Sequence, residues 1–344
     1  MGAPNWNDPR FISVRDGINN NPASTWKAAI HTNIPYDNQE ALHRLVGAKI
    51  NTVPTKTINQ SDAENTARQT QSVPASYDLR TLYPNCWSIG FARNQFACGS
   101  CFAVSTMVSL SDRFCIKAAK ANTFAQRSFS FQDLLECCTN KVTYGQAPYQ
   151  YSYLQCGYGP QAGCNGGDPY GAFDYAATTG VSTGENAGNF TNCKPYSWSG
   201  FTSSSVVAPR CSTTCGNSLI YRTSYVADRM KIKTANLIRG TSTADTVLKA
   251  QQAIMNFGTI VAAYTVYVDF YYYSSGVYQS NQDPATQVGG HAVKVVGWGV
   301  SNGIPYWIAG NSWGTRWGMN GFFWILRGQN HCNFEGYLTE GILN

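Results

Sequence analysis

The stretch Cys98-Gly99-Ser100-Cys101-Phe102-Ala103-Val104-Ser105-Thr106-Met107-Val108-Ser109-Leu110-Ser111-Asp112-Arg113-Phe114 decides how this chain is read. Val104, Met107, Val108, Ser111 and Phe114 recur near helical spacing, which predicts a buried helix entered through a Gly-Ser turn. Cys101 then stands in the first turn, where unpaired backbone amides and the positive end of the helix dipole favour a thiolate. A cysteine so placed is a candidate nucleophile, although any one cysteine among the 12 of the chain would by default be a half-cystine.

A thiol nucleophile needs a base, and histidine is scarce. Of His31, His43, His291 and His331, only His291 opens a strongly strand-like segment, Gly289-Gly290-His291-Ala292-Val293-Lys294-Val295-Val296-Gly297-Trp298-Gly299. The paired glycines let backbone and substrate approach the imidazole, and the valine-rich strand fixes it. His331 is expected at the surface. Further on, Tyr306-Trp307-Ile308-Ala309-Gly310-Asn311-Ser312-Trp313-Gly314 ends a second short strand with an amide. Asn311 can accept a hydrogen bond from the imidazole and hold its ring, while the Trp313 indole shields that bond from water.

Composition sets the frame. With 344 residues, 43% of them hydrophobic, the chain can bury a large core, and no apolar run reaches the length of a membrane span. Charged residues are only 13%, and the net charge of +6 is spread thinly with no Lys/Arg run, so nucleic-acid binding has no support. Twelve cysteines point to an oxidising compartment. Zinc is the rival explanation, since Cys98 and Cys101, and more loosely Cys211 and Cys215, have knuckle-like gaps; without clustered histidines no metal or organic cofactor is expected. Cys137 and Cys138 are adjacent, so each requires a distant partner. A helical stretch from Thr246 to Phe257, ended by Gly258, precedes strands at 259–266 and near 291–298, 305–310 and 321–327. Helices early and strands late predict an α+β protein of two subdomains, with Cys101 on one wall of a cleft and His291 on the other.

These segments, together with Val73-Pro74-Ala75-Ser76-Tyr77-Asp78-Leu79-Arg80, Cys164-Asn165-Gly166-Gly167 and Gly321-Phe322-Phe323-Trp324-Ile325-Leu326-Arg327-Gly328-Gln329, resemble the papain family of cysteine peptidases, and within it the cathepsin B-like members. The resemblance runs from residue 73 to the end and, more weakly, through the preceding 72. It implies a papain-like fold with a helical half and a β-barrel-like half, peptide hydrolysis by Cys101 with His291 as base and then acid, and Asn311 orienting His291. It also implies Gln95 in the oxyanion hole, a role a side-chain amide beside the Cys101 N–H suits. Gly166 and Gly167 would present a bare backbone edge to an extended peptide, and Tyr337 would lie at the floor of the pocket for the side chain two residues before the scissile bond. The implied disulfides are Cys86–Cys115, Cys98–Cys164, Cys137–Cys211, Cys138–Cys156 and Cys193–Cys215, leaving Cys101 and Cys332 free. Two departures stand out: Phe96 replaces a small residue after Gln95, and Phe102 replaces a tryptophan after the nucleophile. Phe96 at such a place is either ordinary or strained.

The first 72 residues lack cysteine, which marks an internal boundary: 1–72 as a pro-segment and 73–344 as the peptidase domain. Trp26 sits in a helical-looking stretch, and Asp37-Asn38-Gln39-Glu40 reads as a capping box opening residues 41–45. The polar run 57–72 reads as a linker, with cleavage between about Arg68 and Pro74. By resemblance the pro-segment lies in the cleft and blocks it. Met1-Gly2-Ala3-Pro4-Asn5-Trp6 lacks the basic and apolar parts of a secretory leader, so such a leader is expected to have been removed already. The expected location is a lysosome, an endolysosomal vesicle or the cell exterior, with Asn59 and Asn189 as candidate glycosylation sites. Protein and peptide substrates, the chain's own pro-segment and a monomeric state complete the expected partners.

The region from Cys193 to Cys215 carries no histidine, whereas cathepsin B anchors a substrate's terminal carboxylate with two histidines on an inserted loop; an endopeptidase with an open cleft is therefore expected. With Tyr337 where an acid would stand, apolar or aromatic side chains are expected in that pocket, Glu335 being the acid to suspect if arginine is favoured. Two rival readings remain at this level. One is a disulfide-rich secreted binding protein on a peptidase fold, the other a Cys-His-Asn acyl transferase.

Overall fold

The computed structural model describes residues 9–49, 72–138, 163–185, 191–197, 210–216 and 221–344, with Cys156 and the backbone of 141–144 and 151–154. Its helices are α1 (Pro9–Asn19), α2 (Gln39–His43), α3 (Leu79–Leu82), α4 (Cys101–Lys120), α5 (Phe131–Cys137), α6 (Pro169–Thr178), α7 (Tyr225–Asp228) and α8 (Thr243–Phe257). The strands are β1 (Trp26–Ala28), β2 (Tyr77–Asp78), β3 (Lys141–Tyr144), β4 (Tyr151–Leu154), β5 (Thr234–Ile238), β6 (Ile260–Tyr267), β7 (Tyr273–Tyr278), β8 (Gln287–Ser301), β9 (Ile304–Gly310), β10 (Phe322–Leu326) and β11 (Leu338–Ile342).

Two apolar cores correspond to two halves. One is built on the first half of α4 with Phe129, α5 and α6, the other on the sheet, α8 and the aromatic residues between β6 and β10. Helix α4 lies between them: every residue from Cys101 to Arg113 is buried, which explains why its sequence is apolar or small all round from Cys101 to Ser111 rather than striped. The sheet runs β1-β7-β10-β9-β8-β6-β11-β5, with β2 added beside β8, and every pair is antiparallel except β10 with β7. Strand β8 lies between β6 and β9 and is buried from His291 to Gly299, so it reads as a continuous apolar run. Helix α8 is capped by the Ser242 hydroxyl, which accepts from the Asp245 N–H, and stops at Gly258, whose φ of 99° suits glycine.

Two buried ion pairs fasten α4 to the sheet. Lys294 Nζ on β8 lies 3.2 Å from Asp112, and Arg113 lies 2.9 Å from Glu340 on β11. Ser88 Oγ and the Thr259 hydroxyl also donate to Asp112, so its carboxylate is well satisfied. The five disulfides pair as the resemblance implies, and Cys101 and Cys332 are free thiols.

Residues 9–49 pack against the sheet half. Here the sequence reading needs correction: Trp26 is not helical but lies in β1, paired with Gly276 of β7, and its indole N–H donates to the Gln279 carbonyl. Long-range strand pairing overrides the local propensity of that stretch. The cap of α2 is Asn38, which accepts from the Ala41 N–H, while Glu40 pairs instead with Arg44 at 2.5 Å. The run 57–71, Asn59 and Asn189 lie outside the described residues.

Candidate active site

Cys101 is the first residue of α4, and the turn before it is pinned by the Cys98–Cys164 disulfide and by the Gly99 N–H donating to the Cys164 carbonyl. Both the side chain and the turn are closed off from solvent. Burial pushes the thiol up to about 11, against the pull of the backbone amides of Ala292, Phe102, Gly47 and Cys101 itself. The lowering expected from the helix N-terminus is thus outweighed in this closed state, because desolvation penalises the anion more than the amides stabilise it. The Ala292 amide that acts on the thiol belongs to β8, one residue after His291.

His291 pairs across the sheet with Tyr264, and its ring stands 5.9 Å from the tyrosine ring. Its Nε2 lies 2.7 Å from Asn311 Oδ1, at the end of β9, and the Trp313 ring covers it at 5.0 Å. The Asn311 Oδ1 also accepts from the Ser312 N–H at 2.7 Å, which fixes the amide. An acceptor on that side makes Nε2 the protonated nitrogen, leaving Nδ1 bare, and Nδ1 is buried with no partner. Burial lowers the imidazole to about 4, opposed by the Asn311 bond.

Gln95 is wholly buried. Its Nε2 donates to the carbonyls of Cys98 at 2.7 Å and Leu45 at 3.2 Å, and its Oε1 accepts from the Ser312 hydroxyl. Sequence reasoning missed Ser312 as the group that orients this amide. Phe96 resolves to the strained alternative, with φ of 54°, and its N–H is held by the Asn94 side chain at 2.9 Å. Phe102 is buried beneath Gly167, where any Cβ would collide with its ring and with the Cys156 carbonyl.

The cleft is crossed by residues 44–49. Gly47 and Ala48 donate their N–H groups to the Gly290 carbonyl, each at 2.9 Å, and the Gly167 N–H donates to Gly47 at 2.8 Å while Lys49 donates to Gly167 at 3.0 Å. Ala48 therefore pairs with Gly167 in parallel. Trp313 Nε1 donates to the Leu45 carbonyl at 2.9 Å. Gly47 passes so close to Gly99 that a side chain there would strike its backbone. Gly167 forms the pairing edge, whereas Gly166 serves by leaving room for Gly47.

Two further residues have partners that the local sequence does not announce. His331 is buried, not at the surface, and its Nε2 accepts from the Ser280 N–H at 2.9 Å, because it supports the turn after β7. Tyr337 is buried and its hydroxyl donates to Asp168, the cap of α6, a carboxylate that sequence reasoning passed over although Asp168-Pro169 is a helix-start signal.

A helical half and a sheet half meeting over a cysteine, with a histidine and an asparagine on the opposite wall, define the class of thiol hydrolases. The chain belongs to the papain family of cysteine proteases, whose match extends over residues 73–342. It is 34% identical over 336 residues to the cathepsin B-like cysteine proteinase 4 of Caenorhabditis elegans, covering 94% of this chain and 90% of that one. It is 36% identical over 324 residues to the cathepsin B-like cysteine proteinase 1 of Ostertagia ostertagi, covering 90% and 84%. Among solved structures, procathepsin B S9 from Trypanosoma congolense superposes with a TM-score of 0.73 at 29% identity, covering 98% of each chain. A digestive procathepsin L 3 of Tenebrio molitor shares the fold at a TM-score of 0.64 and 18% identity. The protein is a cathepsin B-like cysteine peptidase, and the non-proteolytic alternatives lose their ground.

Proposed function

We propose that the chain is a zymogen whose mature part, from about residue 73, hydrolyses peptide bonds within extended chains through Cys101, His291, Asn311 and Gln95. The unpartnered Nδ1 of His291 takes the Cys101 proton, and the sulfur adds to the scissile carbonyl carbon. Charge on the carbonyl oxygen is received by the Gln95 amide and the Cys101 N–H. The imidazolium then protonates the leaving amine as the C–N bond breaks, giving a thioester. Water, deprotonated by the same ring, hydrolyses the thioester and restores the thiol. Asn311 holds the ring in the tautomer this cycle needs, and Trp313 keeps water from their bond.

Residues 1–72 act as the intramolecular inhibitor. The observation that carries this is the path of 44–49, which occupies the Gly167 edge and gives the Gln95 and Trp313 donors a carbonyl to hold. Because Ala48 lies parallel to Gly167, the scissile geometry of a substrate is not offered to the sulfur. The absence of histidine between Cys193 and Cys215 supports an endopeptidase with an open cleft. The disulfides suit a lysosomal, vesicular or extracellular setting.

The test is labelling of the activated protein by a thiol-directed epoxide together with peptide hydrolysis. Both should disappear in Cys101→Ala and in the full-length chain before activation. Hydrolysis that survives Cys101→Ala would refute the assignment, and abundant dipeptide release from free carboxyl ends would refute the endopeptidase reading.

A further inference from the structure

We propose that Arg93 is a positioning residue for Asn311, and that it acts through a single water bound between its Nε–H and the Asn311 side-chain amide. The inference rests on the peptidase reading above, in which Asn311 orients His291.

The segment that carries Arg93 is fastened to the one that carries Asn311. The Gln95 N–H donates to the Ser312 carbonyl at 2.8 Å, the Gly314 N–H donates to the Arg93 carbonyl at 2.9 Å, and Asn94 pairs with Trp313 as an antiparallel bridge. Arg93 and Asn311 then line one small cavity behind the active site, with Ser105 of α4 and Lys294 of β8 also in its wall. Its volume is about 10 Å³, on the order of the roughly 10–15 Å³ that one water needs.

The polar groups of this wall show what is left for a ligand. Lys294 Nζ spends its three protons on the carbonyls of Ser88 and Ile89 and on Asp112, and the Ser312 hydroxyl donates to Gln95. Asn311 Oδ1 is taken by His291 and by the Ser312 N–H. Among the described residues, Arg93 Nε and Asn311 Nδ2 are buried with no hydrogen-bond partner, the two side chains being 4% and 3% exposed. Two buried donors facing one cavity each cost free energy unless an acceptor meets them. A water accepts from both, and its own protons can reach the lone pairs of Ser105 Oγ, whose proton points to the Phe102 carbonyl at 3.4 Å. The guanidinium charge is met on its other side by the faces of Trp87 and Phe91, each 5.0 Å from Cζ. With Nδ2 held in this way as well as Oδ1, the amide is fixed at both ends, and the imidazole it orients is fixed with it.

The experiment compares the activated parent with Arg93→Met and Arg93→Gln. Glutamine carries an amide nitrogen as far along the side chain as arginine Nε, and methionine carries no donor. Both replacements remove the same charge, so a difference between them reports the hydrogen bond. Fluorogenic peptide hydrolysis should show kcat in Arg93→Met about 10-fold below Arg93→Gln, with KM within about twofold. The bond from Asn311 favours the protonated imidazole, so the alkaline limb of kcat/KM should lie at lower pH in Arg93→Met than in Arg93→Gln. A crystal structure of the activated parent should hold one water within about 3.2 Å of both Arg93 Nε and Asn311 Nδ2. Equal kcat and equal pH limbs in the two variants, with Cys101 still labelled by the epoxide, overturn this inference alone. So does a parent crystal in which the two nitrogens share no water, which decides the matter even where Arg93→Met does not fold. Failure of the parent to cleave peptide or to take the label overturns the peptidase reading with it.

Discussion

The helix wall of the cleft delivers its chemistry from one local turn, Gly99 to Phe102, whereas the sheet wall assembles His291 from β8, Asn311 from the end of β9 and Trp313 from the loop beyond. The first is rigid because the Cys98–Cys164 disulfide and the Gly99 N–H bond to the Cys164 carbonyl hold it. The second is rigid because strand pairing brings together residues 20 apart, His291 and Asn311. Both walls are held electrically neutral by burial, the thiol raised and the imidazole lowered. The difference teaches that a local turn presents the thiol, whereas its proposed base is assembled from distant segments.

Several measurements would break or sharpen that comparison. The largest effect is expected for Cys101→Ala, which should cost about a millionfold in kcat in the activated enzyme, as loss of a covalent nucleophile does elsewhere. A residual rate within about a hundredfold of the parent would remove the helix wall from the chemistry. Next comes the joint between the walls: Lys294→Met leaves the Asp112 carboxylate buried without its ion pair and should destabilise the protein by ~3–5 kcal/mol in denaturant unfolding. A shift below about 1 kcal/mol would mean that the walls are joined by packing rather than by this pair.

If Gln95 has the proposed oxyanion role, Gln95→Ala should reduce kcat by roughly 100- to 1,000-fold with little change in KM, since such an amide acts on charge that develops only in the transition state. A loss confined to KM would make Gln95 a binding group. The smallest effect concerns pH. His291 has a pKa of about 4 in the closed cleft against 6.5 for the free ring. Because the closed value is the lower one, protons bind preferentially to the open cleft, so closure is fully favourable above about pH 6.5 and weakens as pH falls toward 4. Burial lowers His31 as well, which works in the same direction. Amide exchange at Gly47, Ala48 and Lys49, corrected for intrinsic rates, should accelerate over that window. Constant protection would show that residues 47–49 do not leave the cleft on proton uptake.

Much of this was legible in the sequence. The buried helix with Cys101 in its first turn, the strands around His291 and Asn311 and the glycine stop of α8 follow from periodicity and turn residues, which are local signals. What escaped was non-local. Trp26 looked helical because only its partner, Gly276, makes it a strand. His331 looked exposed because nothing nearby in sequence announces its bond with Ser280. Asp168 shows locally only a helix cap, because its second partner, the Tyr337 hydroxyl, is 169 residues away. The strain at Phe96 was foreseen as one of two outcomes, and backbone geometry alone selects between them.

The most direct test of the pairing across the cleft is the pH profile of Cys101 alkylation by a haloacetamide after residues 1–72 have been removed. If His291 holds the sulfur's proton, the rate should already be high at mildly acidic pH, and His291→Ala should move the profile up toward the ordinary thiol value of about 8.5. Identical profiles for the two proteins would contradict the account.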